Sequence, residues 1–175
     1  MIVFRNTDVD VPFFWEGACQ PAARWHADGD GPAQYTSSTP SASWAEFLRH
    51  NGITDPDDLG GIERTMWAIE IPDMEQTGRP ALPLATLTGG LASYPACQAE
   101  MLRLRSAGST RLIASSAAVL PDTPSGWVCD PSLVADGQRD EVTVVLFGPR
   151  PQHVGWVSAA LGRPERELLD RVRGL

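Results

Sequence analysis

Lysine is absent from this chain: all 14 basic residues among its 175 are arginine. That absence excludes a Gly-rich phosphate loop ending in Lys-Ser/Thr, a Schiff-base lysine and a pyridoxal site. A GC-rich coding sequence would produce the same bias, and the exclusions stand whatever its origin. Arginine still supplies a planar fork for phosphate or carboxylate. Cysteine is sparse. Cys19, Cys97 and Cys129 are odd in number, far apart and form no CxxC pair, so neither a disulfide framework nor a zinc site is expected. Positive charge is in deficit as well. The net charge of −8 argues against nucleic-acid binding by phosphate neutralisation and against an anionic membrane surface.

Other signals are missing too. The opening "MIVFRNTDVD" has no basic-then-apolar leader pattern. The longest charge-free run, Pro80 to Ala99, holds Pro80, Pro83, Pro95 and Gly89-Gly90, which rules it out as a regular membrane-spanning helix. With no GxGxxG after a strand and no GxSxG elbow, neither a Rossmann cofactor site nor a serine hydrolase is supported. The expectation is a soluble, cytoplasmic protein.

What is present is globular composition, 42% hydrophobic and 21% charged, enough to bury a core and most simply a single domain over residues 1–175. "MIVFR" has strand character, and Phe13, Phe14 and Trp15 suggest core or pocket wall. Arg24 to His26 and Ala33 to Thr36 read as two short strands joined by the turn chemistry of "ADGDGP". A helix should follow: Thr39 caps it, Pro40 fits its first turn and Asn51-Gly52 ends it after His50. Arg64 to Pro72 alternates as a strand. A helix is expected from near Pro95 to Gly108, then strands at "TRLIAS" and "EVTVVLF", the second rich in Val and buried. Pro121 to Asp140 is expected as a long excursion, and Pro164 to Val172 as a closing helix. Strands and helices mix without strict βαβ alternation, which predicts an α+β fold: small mixed or antiparallel β-sheets flanked by helices.

Candidate chemistry is concentrated between residues 23 and 50. His26, Asp28 and Asp30 lie together in "HADGD". Asp-Gly-Asp-Gly is common turn chemistry, however, and the distant Glu of a Ca²⁺ loop is lacking, so no metal site is expected. Arg24, Tyr35 and Glu46 follow one another at intervals of eleven. Glu46 precedes Arg49 by three residues and His50 by four, the arrangement of a solvated helix face, with Trp44, Ala45 and Leu48 turned to the core. By local pattern Glu46 is a surface residue and Tyr35 a half-buried strand residue. Arg24, beside Trp25, is a partly buried cation in need of an anion. Cys97 reads as core, with no basic neighbour to activate it.

Taken in order, Arg24-Trp25, Tyr35, Thr39-Pro40 and Glu46 resemble the RES domain family, named for its Arg, Glu and Ser. "VFR" resembles that family's opening strand, with Arg5 at its first basic position. "LIASSA" resembles the strand ending in its Ser, here Ser116 with Ser115 beside it, and "VVLFGP" the strand after that. The resemblance implies a fold related to ADP-ribosyltransferase toxins and action on NAD as substrate, with no further cofactor and no metal. The implied activity is cleavage of the nicotinamide–ribose bond, by a glycohydrolase or phosphorylase acting as the toxin of a toxin–antitoxin pair. The same site would serve a mono-ADP-ribosyltransferase acting on protein, and a silent nucleotide- or partner-binding module would share the scaffold. In the implied site Glu46, Arg24 and Tyr35 are catalytic, and Arg5, Trp25 and Ser116 bind substrate. The implied partners are NAD and a cognate antitoxin, with room for a homodimer.

Overall fold

The computed structural model describes residues 1–17, 19–121, 126–137 and 140–174. Its frame is a seven-stranded sheet. In chain order the strands are β1 (Ile2–Thr7), β2 (Ala33–Ser37), β3 (Arg64–Glu70), β4 (Thr77–Gly78), β5 (Arg111–Ser115), β8 (Val142–Phe147) and β9 (Gly155–Gly162). In space they run β4-β5-β8-β2-β1-β3-β9. Every neighbouring pair is antiparallel except β4 with β5. A separate two-stranded ribbon joins β6 (Trp127–Cys129) to β7 (Leu133–Ala135). The α+β expectation therefore holds, with one large sheet carrying most of the strands.

β8 explains why the sheet has cover on both faces. Its Val-rich run alternates by pleat: Val144 and Leu146 join a cluster with Val3, Phe14 and Ile69, while Val145 and Phe147 join Trp25, Cys97, Met101 and Leu112. Thr143, two residues before Val145, shares that second face. Helix α3 (Tyr94–Ser106) contributes Cys97, Met101 and Leu104 to the same cluster.

Helix α1 (Pro40–His50) forms where local chemistry directs it. Thr39 Oγ1 accepts the Ala42 N–H at 3.1 Å, a cap contributing about 1 kcal/mol. Pro40 occupies the first turn, where its missing N–H costs nothing. Gly52 then adopts φ +63°, the left-handed exit that favours glycine. Ala42, Trp44, Ala45 and Leu48 bury one stripe against Met66, Ala118 and Leu168, as the apolar spacing requires.

Three expectations change in detail, and one strand is new. Arg24 to His26 is a tight turn closed by Ala23 and His26, which exchange both backbone hydrogen bonds. The Trp25 N–H at its apex goes to the Tyr35 hydroxyl, so it cannot join a ladder. The closing helix is a 3₁₀ turn, Arg166–Arg171, because Val172 pairs with Val119 and pulls the chain extended. The Pro121 to Asp140 excursion contains the β6–β7 ribbon, and its residues 122–125 and 138–139 lie outside those described. β9 was not anticipated: its Ser, Ala and Gly are weak strand formers, and it forms by lying along β3.

Candidate active site

β1, the Ala23–His26 turn, β2, α1 and the ends of β5 and β8 enclose a cleft of about 710 Å³. That volume falls within the range of ligand clefts, roughly 300–1,000 Å³. Glu46 lies along it, half-buried on the second turn of α1. Its Oε1 accepts two hydroxyl hydrogen bonds, from Ser116 Oγ at 2.9 Å and from Thr143 Oγ1 at 3.1 Å. Ser116 in turn accepts the Ala118 N–H at 3.2 Å, which leaves its own proton for the carboxylate. Ser116 is buried at 4% exposure, whereas Ser115 lines the cleft.

Tyr35 projects from β2 next to the Ala23–His26 turn. Its oxygen accepts the Trp25 N–H at 2.8 Å and lies 3.0 Å from His26 Nδ1. Burial drives the Tyr35 pKa far above the ordinary phenol value, so the side chain stays neutral. Its hydroxyl is committed to the turn, and its ring is what remains for a ligand. His26 is fully buried, and burial lowers its pKa, opposed by a hydrogen bond to the Pro21 backbone and then by Asp30 and Asp28. Those two carboxylates are spent on the turn: Asp28 accepts from Ala22 N and Asp30 from Ala27 N. Trp25 lies at the cleft wall but packs its indole into the core beside Cys97 and Met101.

Arg24 is buried too, and its partner is not a carboxylate. Its fork donates to Gly89 O at 2.6 Å, Ser93 Oγ at 2.9 Å and Thr86 O at 3.4 Å, and it lies 4.9 Å from the centre of the Tyr94 ring. Arg49, expected on a solvated face beside Glu46, is buried at 6%. It donates to the carbonyls of Ala117, Thr88 and Gly89. Burial and the neighbouring Arg24 lower its pKa. Both guanidinium groups thus grip one strap, residues 83–93, which includes the short helix α2 (Leu84–Leu87).

At the other end Arg5 makes, among the described residues, a single long hydrogen bond, to Gln34 Oε1 at 3.4 Å. Burial, then the nearby charge of Arg64, lowers its pKa to about 10, which leaves it protonated at neutral pH. Arg64 is held by Asn6 and Asp8 and stacks 4.5 Å from the centre of the Phe47 ring. Among the described residues Arg5, Arg24 and Arg49 have no carboxylate partner. The cleft of an acidic chain is therefore rich in positive charge, with Glu46 set inside it.

Glu46, Arg24, Tyr35, Arg5 and Trp25 all meet at this cleft, and Ser116 reaches it through Glu46. Sequence reasoning missed Arg49, Arg64 and Thr143. For Thr143 a signal existed: it is a lone hydroxyl in a buried strand, in phase with Val145.

The sequence matches the RES domain family over residues 4–155. Among solved structures, a chain of the M. tuberculosis MbcT–MbcA toxin–antitoxin complex is similar, with a TM-score of 0.63 and 15% identity. The likeness covers 97% of this chain and 86% of that one, and at this identity it speaks to the fold. No curated protein matches the sequence.

Proposed function

The chain belongs to the RES domain family, and from that premise we propose that its cleft cleaves the nicotinamide–ribose bond of NAD, as the toxin of a toxin–antitoxin pair. One observation carries this reading: a carboxylate anchored by two hydroxyls sits among Arg5, Arg24 and Arg49, which have no carboxylate partner among the described residues. Breaking the glycosidic bond builds positive charge on the ribose, as in other oxocarbenium-like reactions. A fixed carboxylate beside that carbon stabilises the transition state more than the ground state. Glu46 fills that role. The Tyr35 ring offers nicotinamide a surface, and the surplus positive charge attracts an anionic dinucleotide.

Within this reading the two deeper arginines serve differently from the outer one. Arg24 has its fork filled by carbonyls, so it supports the diphosphate through field rather than contact. Arg5, which has a donor to spare, is the better direct ligand. An antitoxin as partner is proposed on the same footing, because the similar fold comes from a toxin–antitoxin complex.

The test is nicotinamide release from NAD by the purified protein, with and without phosphate, beside Glu46→Gln. Release by wild type and a loss on the order of 10²-fold or more in the variant are expected. The product formed with phosphate distinguishes a phosphorylase from a glycohydrolase. Label found on protein would move the reading to ADP-ribosyl transfer, and a folded wild type without turnover or transfer would defeat it.

A further inference from the structure

We propose that Thr143 is a positioning residue: with Ser116 it pins one oxygen of the Glu46 carboxylate, so that the other, Oε2, is the one presented to substrate. The claim rests on the NAD-cleaving reading for its kinetic test, and on geometry alone for its structural one. Oε1 receives two donors from two different places in the fold, Ser116 just past β5 and Thr143 inside β8. Among the described residues Oε2 accepts no hydrogen bond. One donor alone would let the carboxylate pivot about that contact. Two donors, approaching from separate elements, define the direction in which the second oxygen faces.

Both donors are rigid. Thr143 lies in a central strand, opposite Ser37 of β2 and Ala114 of β5, and is buried at 7% exposure. Its branched side chain has little χ1 freedom. The Ser116 hydroxyl is oriented because its acceptor site is filled by Ala118 N–H. Glu46 projects from mid-helix on a long side chain whose rotamers would otherwise be lost only when substrate binds. The two hydroxyls remove that freedom beforehand, one inside β8 and one just past the end of β5, which is how a reactive group is preorganised. Hydrogen bonds to an ionised oxygen are the stronger kind, so the loss of either should register in turnover.

The experiment compares Thr143→Val with Thr143→Ser. Valine keeps the shape and deletes the hydroxyl, whereas serine keeps the hydroxyl. For nicotinamide release, T143V should lower kcat by about tenfold or more, the scale of one hydrogen bond to a charged group, with KM within about twofold. T143S should recover most of the rate, which a purely packing role would not do. A loss confined to KM, or a serine variant as slow as valine, overturns the proposal. Crystal structures of wild type and T143V provide the readout that needs no turnover. The expected result is one carboxylate conformer on both hydroxyls in wild type, and a rotated or divided carboxylate in T143V. An unchanged carboxylate in T143V overturns positioning even if NAD is cleaved. If NAD is not cleaved, the functional reading fails while the structures still decide this claim. Should T143V not fold, a wild-type structure with Thr143 Oγ1 turned away from Oε1 suffices to overturn it.

Discussion

At the scale of single residues, the arginines divide by what already fills their forks. Arg24 spends its donors on the strap, and a buried guanidinium that loses such partners is costly to leave behind. Among the described residues Arg5 donates one hydrogen bond, at 3.4 Å to Gln34. Replacing each with methionine should separate the two roles. R5M is expected to raise KM for NAD by roughly tenfold, one charge-assisted contact, with little change in thermal midpoint. R24M is expected to destabilise the fold by about 1–3 kcal/mol, since the strap's carbonyls lose their donors. Parallel denaturation and kinetic measurements check this, and an R24M as stable as R5M would show the strap contacts to be unimportant. Tyr35 follows the same logic, because its hydroxyl closes the Ala23–His26 turn and its ring is what the cleft can use.

Elements bring these residues together, and here the strap over residues 83–93 is decisive. Its Gly89 carbonyl is the meeting point of Arg24 and Arg49. A Cβ added at Gly89 would lie 2.8 Å from Ala85 O, a backbone atom of α2 with no flexible end to yield. Gly89→Ala should therefore shift the strap and loosen both guanidinium groups. The expected outcome is a loss of nicotinamide release of at least about tenfold, which a displacement of roughly 1 Å near a site can cause, in a protein that remains folded by circular dichroism. A G89A variant with wild-type turnover would show that the strap need not hold its present path. Helix α1 was legible from Thr39, Pro40 and Asn51-Gly52 because capping is chemistry among near neighbours. β9 was not, because a segment with so much Gly, Ser and Ala forms a strand only when β3 lies beside it.

For the whole molecule, stability is tied to two histidines, His26 buried and His153 half-buried. Burial lowers the pKa of both; at His26 the Pro21 backbone and then Asp30 and Asp28 oppose it, while at His153 the Arg150 charge adds to it and Glu75 and Glu16 oppose. The unfolded chain then binds protons more readily than the folded one as pH falls through about 6.5, the ordinary histidine value. Stability conferred by these neutral rings is complete above that pH and declines below it. The thermal midpoint should drop between pH 7 and 5, more steeply than in a His153→Asn variant. An equal slope in wild type and variant would remove His153 from the account. Among the described residues no helix is long and apolar enough to cross a membrane.

The order Arg24, Tyr35, Thr39-Pro40, Glu46 lies within one short stretch, so the family was readable without coordinates, and with it helix α1 and the residues that meet at the candidate cleft. The strands at Arg64, Arg111 and Val142 were readable for the same reason: alternation and branched side chains are properties of consecutive residues. Which face of α1 Glu46 and Arg49 would occupy was not. Ser116 lies 70 residues from Glu46, and Thr143 lies 97 away. The carbonyls that hold Arg24 are 62 and 65 residues distant. Local spacing gave Glu46 and Arg49 to solvent, because nothing within eleven residues offers them buried partners. Only closing the sheet between β5, β8 and β2 delivers two hydroxyls to one carboxylate, and only the strap's return supplies the carbonyls that let the arginines be buried.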